Sequence, residues 1–569
     1  MKSAVKKVCA VLCSIGACLT LLSGSVIGSE TAKSDAFEIR ASVSEEPKTL
    51  DPTKVVTSDG ATYAVHLFDN LMRYQLSDEN AAEGNDDNDS VKKTVLGYGQ
   101  AQSCDISDDG LEYTFTLRDD IFWSDGQPVK ADDFVYSWRR LVDPANAAGY
   151  GFLLSGIVTG AKEIQNNTAE PQELGVEAVG EKTFKVHLAS PCAYFLELCS
   201  LPCTMPLRKD VIEKYGREWT DPEHIVTNGP FLLSEWDHDD YIRMTRNEKF
   251  YDPAVPDVIT WTLASGSSPQ LASFIANECD FFTMIPRDMV DDLRAQGSCH
   301  VAPMLGTAFL YLSESGIPDW RVRAAITLAI DRQNIIDHVT QSGELPATGL
   351  TPKGINTFDG KDWTETKGNI MTEALKKLYP DADLTSYSGQ CELAQKLMEE
   401  AVADGFDRSV HLDYQYPVGG TSQAIGEAVQ SDILSVLGLN ITLTNVEGQT
   451  YLHNLQTGNF TIASSGWNAD YDDPKTFIDL AASSSPFNSS RWSSEEYDAL
   501  LRQMEKMSNG KDLDELLSAA EHLLFSKDGF PVAPLYFYTR PYCIHDNAVR
   551  NVGHIPTGGF LFTYATQGK

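Results

Sequence analysis

The sequence predicts a mixed α/β protein with more than one lobe. The chain has 569 residues, and about 150 residues per domain gives roughly four folding units. Apolar side chains alternate over 410–414 as in a strand, and a helical pattern over 422–437 ends at Gly438, a typical C-cap. Another strand begins at 441–443. A strand, a helix and a strand with short joints indicate a right-handed parallel crossover, the repeating unit of α/β folds.

Earlier segments show the same two kinds of pattern. Residues 38–43 suit a first strand, and 63–74 suit a helix. Residues 111–117 alternate as a strand, and a turn follows at 123–126. The next helix is predicted over 131–141, because acidic residues in its first turn favour a helix N-terminus.

A capping box predicts one more helix late in the chain. Ser493 and Glu496 have the spacing in which each side chain caps the other's backbone. Tyr497, Leu501 and Met504 follow at helical spacing, so we expect them on one face of this helix.

The charge balance excludes some classes of partner. Lys plus Arg number 45 and Asp plus Glu number 81, which gives a net charge of −36. Such an acidic surface repels phosphate backbones, so nucleic acid is not expected as a partner. A hydrophobic content of 42% is too high for a disordered chain and too low for a polytopic membrane protein.

The N-terminus predicts export. Lysines within the first seven residues precede an apolar stretch over 8–27 that ends in small residues. This pattern predicts a signal peptide over 1–28, followed by a tether over 29–36. A permanent anchor helix is the alternative, because the apolar run approaches the length that spans a bilayer. Either way the chain is expected in the periplasm or on the outer face of the cytoplasmic membrane.

A lipid anchor is a further alternative. Residues 21–24 resemble the end of a lipoprotein signal, but Ser25 stands where the lipid-bearing Cys would be. Residues 15–18 form an earlier match, which makes Cys18 a candidate for lipidation. The sequence leaves a lipid anchor and a cleaved secretion signal both open.

An acidic low-complexity run covers 77–90. It is interpreted as a solvated surface insertion rather than a calcium loop, because no glycine follows its carboxylates at EF-hand spacing.

Eight cysteines lie beyond the signal, and none of them forms a CxxC pair, so a zinc ribbon is not expected. Cys192, Cys199 and Cys203 are close enough in sequence to crosslink, yet buried free thiols are an equal alternative. The disulfide connectivity therefore stays open.

Catalytic signatures are missing from the sequence. The chain has no GxxxxGK[ST], HExxH or GxSxG motif, and its eleven histidines form no HxH or HxxxH pair. The prediction is therefore a protein that is not an enzyme and that binds neither a cofactor nor a resident metal.

Long ordered segments carry the remaining information. They are 46–52 (EPKTLDP), 113–118 (YTFTLR), 123–140 (WSDGQPVKADDFVYSWRR), 228–231 (NGPF) with Arg246, Asn247 and Tyr251, 322–332 (VRAAITLAIDR) and 466–474 (GWNADYDDP). In this order they resemble the family-5 extracellular solute-binding proteins of ABC importers, among which are oligopeptide- and dipeptide-binding proteins. The resemblance covers about residues 38–560. The departures are the insertion at 77–90, Phe231 where the family usually has Tyr, and the missing Cys at position 25.

The resemblance implies an α/β, two-lobed, periplasmic-binding-protein-like clamp with an extra subdomain on the first lobe. The first lobe is expected to combine 37–58, 208–305 and 532–569. Residues 59–207 would form the extra subdomain, and 306–531 would form the second lobe. The ligand would lie between the lobes.

The resemblance also implies the ligand-binding residues. The carboxylate of the Trp-x-x-Asp-Tyr block, Asp470, would bind the charged amino group of a peptide. Trp467 would line a side-chain pocket, and Asn468 would offer its backbone groups. Tyr150 and Glu46 match ligand-facing regions of the family.

Structural roles are the alternatives for these residues. Asp470 could be a turn residue, and Tyr150 and Glu46 could serve packing or lie on the surface. Trp123, Asp125, Trp138 and Arg332 also belong to the matching segments and are assigned to the scaffold, which leaves them outside the predicted site.

The function implied is that of an exported, monomeric protein that delivers short peptides to a membrane permease powered by separate ATPase subunits. One alternative is the same fold binding an oligosaccharide, a nickel complex or an opine-like compound, although the lack of paired histidines counts against nickel. A second alternative is a peptide-sensing receptor. A third is an extracellular peptidase, against which the missing catalytic motifs argue.

Overall fold

The fold was analysed in a computed structural model. The structure describes residues 36–44, 46–77, 90–505, 507 and 510–568. The predicted signal peptide, Cys18, nearly all of the predicted tether and residues 78–89 of the acidic run lie outside the described residues.

Helices and strands alternate along the described chain, and the predicted α/β class is confirmed. The strands are β1 (Glu38–Val43), β2 (Met72–Leu76), β3 (Val91–Tyr98), β4 (Ala101–Ile106), β5 (Glu112–Leu117), β6 (Val176–Ala178), β7 (Thr183–His187), β8 (Phe231–Asp237), β9 (Tyr241–Arg246), β10 (Val258–Leu263), β11 (Phe281–Phe282), β12 (Cys299–Leu312), β13 (Leu345–Pro346), β14 (Leu412–Pro417), β15 (Ile441–Val446), β16 (Ile462–Asn468), β17 (Val532–Ile544), β18 (Val549–Arg550), β19 (Val552–His554), β20 (Phe560–Leu561) and β21 (Thr566–Gln567). The α-helices are Ser58–Leu67, Ala131–Val142, Ala161–Gln165, Phe195–Leu198, Lys209–Tyr215, Ser267–Ile275, Arg287–Ala295, Trp320–Ala329, Arg332–Ile335, Trp363–Lys367, Ile370–Leu378, Tyr387–Ala403, Ser422–Leu437, Gly448–Thr457, Lys475–Ile478, Glu495–Met504 and Lys511–Leu524.

The largest sheet is continuous through the molecule. Its strands lie in the order β15-β14-β16-β12-β17-β11-β1-β10-β9-β8, and β13 also pairs with β17. The long strands β12 and β17 pair with each other over almost their whole length, with a register shift between Pro303 and Thr307. Strand β16 pairs with β12 from Gly306 onward, and β11 pairs with the last two residues of β17. Strands β12 and β17 therefore connect the two halves of the sheet.

One hydrophobic core lies on each side of the register shift between Pro303 and Thr307. One core draws its buried residues from 39–302 and 542–565, with the addition of Tyr471. The other draws them from 305–536. We call the parts of the molecule around these cores the first lobe and the second lobe. The exact lobe boundaries stay a prediction.

Smaller sheets complete the first lobe. Strands β4-β5-β7-β6 form one sheet, whose Phe184 packs edge-on against Trp138 of helix Ala131–Val142 at 5.3 Å. Strands β2-β3-β19-β20 form another. Because β3 pairs with β19, the predicted extra subdomain shares a sheet with the C-terminal part of the chain.

The residues assigned to the scaffold make structural contacts. Trp123 and Trp138 are fully buried, and their ring nitrogens donate to the Asp133 carboxylate at 3.0 Å and to the Thr204 carbonyl at 2.9 Å. Asp125 pairs with Arg208 at 2.8 Å. The buried Arg332 donates to backbone carbonyls, including that of Pro534 at 2.8 Å. Such contacts satisfy polar groups that would be costly to bury alone.

The predicted strand–helix–strand unit is present. Helix Ser422–Leu437 has the predicted bounds, and Gly438 ends it in the left-handed conformation with φ of 65°. Strands β14 and β15, which flank it, are parallel, as predicted.

Two local predictions were wrong. The helix expected over 63–74 ends at Leu67, and the chain then forms β2, because pairing of Met72–Leu76 with β3 competes successfully with the local apolar spacing. The N-cap of helix Glu495–Met504 is Ser494, whose hydroxyl accepts from the Tyr497 amide, and not Ser493. The expected apolar face is present, with Tyr497, Leu501 and Met504 buried.

Candidate functional site

Two cavities meet between the lobes. The first has a volume of about 620 Å³ and is lined by first-lobe residues together with Met304 and residues 467–470. The second also has about 620 Å³ and runs toward the helices of the second lobe. Both are lined by Phe152, Leu153, Trp467 and Asp470, so they join at these residues. Volumes of this size are typical of sites for small ligands.

The end of β16 carries residues 467–470 to this junction. Asn468 pairs with Gly306 of β12, and the next amide, that of Ala469, donates to the Leu305 carbonyl at 2.7 Å. A side chain at Gly306 or Gly466 would collide with Tyr538, so the close packing of these strands requires glycine. Asp470 therefore follows directly on a closely packed part of the sheet.

Asp470 has an unpaired, half-buried carboxylate. It forms no hydrogen bond or ion pair with any residue that the structure describes, and burial raises its pKa to about 6. Tyr150 of the first lobe lines the same cavity, and burial and then the charge of Asp470 raise the pKa of this tyrosine. A carboxylate held without a partner at the mouth of two cavities is suited to bind a cation.

Trp467 and Asn468 also line the first cavity. The indole nitrogen of Trp467 donates to the Thr476 hydroxyl at 3.0 Å, and its ring lies 4.9 Å from that of Phe487. The Asn468 side chain is exposed. The structure thus brings together Tyr150, Trp467, Asn468 and Asp470, and their roles in binding stay a prediction.

Glu46 is not part of this group of residues around the cavity. Its carboxylate accepts from the indole nitrogen of Trp236 at 2.7 Å and is hydrogen-bonded to His238 Nδ1 at 2.5 Å. It is not among the described residues that line either of the two cavities. The contacts of Glu46 are those of a residue that packs the N-terminal segment against β8.

Sequence reasoning missed an ion pair in the lining of the first cavity. Arg73 Nε lies 3.8 Å from Asp69 Oδ1, and Arg73 Nη1 lies 3.4 Å from Asp252 Oδ2. Asp69 also accepts from Tyr251 at 2.9 Å and from Gln100 at 3.0 Å. No local motif marks this cluster, because its members come from three segments that are far apart in the chain.

The rest of the first cavity is mainly apolar. Its walls include Val55, Val65, Phe68, Leu153, Met304 and Phe560. Because Arg73 offsets Asp69, Asp470 supplies the uncompensated charge in this lining.

The second cavity is acidic. The half-buried Asp473 lines it together with Asp470, and desolvation raises the pKa of Asp473 to about 7. Lys475 Nζ lies 2.6 Å from Asp479 Oδ1, so the charge of this lysine is already paired. The charges around the junction therefore favour a cationic group over an anionic one.

Within the described residues, no cluster of three or more His, Cys, Asp or Glu side chains could hold a metal ion. Among the same residues, no helix combines the length and apolar character needed to cross a membrane.

Comparison with known proteins identifies the class. Residues 96–489 match the bacterial extracellular solute-binding proteins, family 5. The periplasmic oligopeptide-binding protein OppA of Salmonella typhimurium is 31% identical over 503 residues, which cover 87% of this chain and 86% of that protein.

Solved structures agree with this match. The murein tripeptide-binding protein MppA of Escherichia coli aligns with a TM-score of 0.70 and 28% identity over 94% of this chain and 99% of that chain. OppA of Haemophilus influenzae, in complex with RPPGFSPFR, aligns with a TM-score of 0.70 and 26% identity, again over 94% and 99%. The predicted two-lobed clamp is confirmed by these neighbours.

The chain therefore belongs to the family-5 extracellular solute-binding proteins, as the ordered segments of its sequence predicted.

Proposed function

We propose that this protein captures short peptides between its lobes and delivers them to the membrane permease of an ABC importer, which separate ATPase subunits drive. The observation that carries the proposal is the unpaired Asp470 carboxylate where two cavities join. A peptide offers the matching ammonium group at one end, and pairing removes the cost of a buried lone charge. The names of the relatives, which bind oligopeptides, dipeptides or a murein tripeptide, support this ligand class.

The positions of the other residues support the roles proposed for them. Trp467 forms a wall beside the amino group, and the backbone of Asn468 offers hydrogen bonds to an extended peptide, as in strand addition. Tyr150 closes the site opposite Asp470. An apolar ligand side chain fits the first cavity, because most of its walls are apolar.

Calorimetry with trileucine and N-acetyltrileucine tests the proposal on the purified full-length protein. Trileucine is expected to bind, and acetylation is expected to weaken binding because it removes the positive charge. Asp470→Asn should cost about 2 to 5 kcal/mol of binding free energy, which is about thirtyfold or more in affinity. Asp108→Asn, at an exposed turn between β4 and β5, is the matched control and should leave affinity unchanged.

A separate experiment tests which class of ligand the protein binds. Mass spectrometry of molecules released by unfolding the purified protein should recover peptides, and incubated peptides should remain uncleaved. Recovery of an oligosaccharide or a nickel complex would overturn the ligand class and leave the fold standing. Equal binding of the acetylated peptide would overturn the role of Asp470.

We also propose that the chain is exported, with residues 1–28 as its signal, and that it acts as a monomer. The intact mass of the exported protein locates the cleavage point and shows any lipid at Cys18. Transport and sensing are separated by deleting the gene and measuring uptake of labelled trileucine. Loss of uptake supports import, whereas unchanged uptake would favour a receptor.

A further inference from the structure

Two cysteines face each other where β12 and β17 begin their pairing in the first lobe. Cys299 is the first residue of β12, and it lies directly opposite Cys543 of β17. Both belong to a small hydrophobic cluster with helices Ser267–Ile275 and Arg287–Ala295. They are free thiols in the structure, with 3% and 0% of their surfaces exposed.

The backbone hydrogen bonds show whether the two cysteines form a hydrogen-bonded or a non-hydrogen-bonded pair of the antiparallel ladder. The Ile544 amide donates to the Ser298 carbonyl at 3.2 Å, one residue outside the cysteines on each strand. In an antiparallel ladder this places Cys299 and Cys543 at a non-hydrogen-bonded position, where the Cα atoms lie about 4.5 Å apart and the side chains are closest. A disulfide needs a Cα separation of about 4.4 to 6.8 Å, so the pair meets this requirement without backbone movement.

The two thiols also interact with each other. Hydrogen bonding with the Cys543 thiol lowers the pKa of Cys299. The two sulfur atoms therefore lie within hydrogen-bonding reach of each other in the folded protein.

We propose that Cys299 and Cys543 form a disulfide in the exported protein. The thiolate of one of the two cysteines attacks the disulfide of an oxidised thiol–disulfide oxidoreductase, and one of that enzyme's sulfurs leaves as a thiolate. The thiolate of the other cysteine then attacks the mixed disulfide, which forms the Cys299–Cys543 bond and releases the second enzyme sulfur as a thiolate. The two cysteines lose two electrons to the enzyme disulfide and two S–H protons to the solvent, and the two enzyme thiolates take up two protons from the solvent to give its dithiol. Because both sulfurs are buried in the folded protein, the exchange takes place during folding.

The position of this bond gives it a specific effect. The chain between the two cysteines includes the whole second lobe, so the bond closes a very long loop. Such a crosslink restricts the unfolded chain more than a short loop does. Both cysteines lie on the first-lobe side of the register shift, so the bond leaves the lobes free to move relative to each other.

A third thiol lies nearby and provides the control. Cys279 donates through Sγ to the Phe281 carbonyl at 3.1 Å, just before β11, whose Phe282 pairs with Cys543. Cys279→Ala should therefore leave the Cys299–Cys543 bond in place.

Mass spectrometry of the full-length protein, expressed with its own leader and purified from a bacterial periplasm, tests the proposal. The protein is denatured in acid, alkylated without reduction and digested. We expect a crosslinked peptide that joins Cys299 to Cys543 and is lighter than its two reduced parts by two hydrogen atoms. Prior reduction should abolish this peptide and make both cysteines alkylatable.

Variants give a second readout. Reduction should lower the Tm of the wild type and of Cys279→Ala, and it should leave the Tm of Cys299→Ala/Cys543→Ala unchanged. Alkylation of both cysteines without reduction, or a bond from Cys279 to Cys543, would overturn the proposal. The wild-type mass decides even if the double variant does not fold.

The inference rests on the proposed export, and the two can fail separately. If the protein keeps its leader and stays in the cytoplasm, export is wrong. Refolding it in a buffer of reduced and oxidised glutathione then tests the disulfide alone, and absence of the bond there would overturn it.

Discussion

At the scale of single residues, the charged groups around the two cavities differ in whether they have partners. Asp69 lies beside Arg73, and Asp479 binds Lys475. Asp470 has no such partner among the described residues, and its raised pKa of about 6 is the result of its burial. A group of this kind costs folding free energy in its charged form.

Asp470→Asn is therefore expected to stabilise the ligand-free protein at neutral pH. Folding raises the pKa of Asp470 above its unfolded value, so the stability contributed by its protonated form is fully present below the unfolded pKa, about 3.9. This contribution is lost as the pH rises through the folded pKa of about 6. The Tm of Asp470→Asn should exceed that of the wild type at pH 7, and the difference should vanish near pH 4.

Thermal unfolding of ligand-free protein at both pH values provides the measurement. Asp108→Asn serves again as the exposed control and should change the Tm at neither pH. An equal Tm for Asp470→Asn and the wild type at pH 7 would contradict the assignment of an unpaired buried charge.

At the scale of elements, the segment after helix Ser58–Leu67 is held by hydrogen bonds to Asn228 and Gly229, which are far away in the sequence. The Gly229 amide donates to the Leu67 carbonyl at 2.9 Å, and the Asn228 side chain bonds both backbone groups of Asp69. Asn247 in turn donates to the Gly229 carbonyl at 2.9 Å. The NGPF segment thus holds residues 67–70 in position beside the first cavity.

Gly229→Ala should destabilise the protein. A Cβ at this position would lie 2.5 Å from the Leu67 carbonyl carbon and 2.6 Å from the Phe68 amide nitrogen, and the backbone would have to move. Overpacking of this kind costs about 1 to 3 kcal/mol. Denaturant unfolding should show this loss.

Gly448→Ala is the matched control for that change. Gly448 begins helix Gly448–Thr457 and has open space around it, so alanine should be neutral or slightly stabilising. Equal stability of Gly229→Ala and the wild type would contradict the close approach.

At the scale of the whole molecule, one segment links the lobes beyond β12 and β17. Tyr471 follows Asp470 in the chain, yet it is buried in the core of the first lobe. Its ring stacks on that of Tyr194, with centroids 3.7 Å apart and planes 1° from parallel. This contact holds the candidate binding segment against the first lobe.

Tyr194→Ala is expected to weaken peptide binding without touching Asp470. An aromatic pair contributes about 0.5 to 1.5 kcal/mol beyond its buried area, so affinity should fall by up to about tenfold. Calorimetry with trileucine measures the loss, and Tyr194→Phe, which keeps the ring, should retain most of the affinity. Unchanged affinity in Tyr194→Ala would show that the stack does not support the site.

Part of the candidate site could be predicted from sequence. Trp467, Asn468 and Asp470 lie within one ordered block, and the structure places them together with Tyr150 around one cavity. Glu46 matched a ligand-facing region of the family less securely, and its side chain bonds Trp236 and His238. A matching sequence segment identifies a residue, but the surrounding packing decides in which direction its side chain points.

The sequence by itself determined the α/β class, the family and those elements whose signals are local, such as helix Ser422–Leu437 with Gly438 at its end. Tertiary structure decided where helix Ser58–Leu67 stops, that Arg73 meets Asp252, and that Cys299 meets Cys543. The physical reason is the separation along the chain over which each signal acts. Periodicity and capping act over a few neighbouring residues, whereas strand register joins residues that are hundreds of positions apart in the chain.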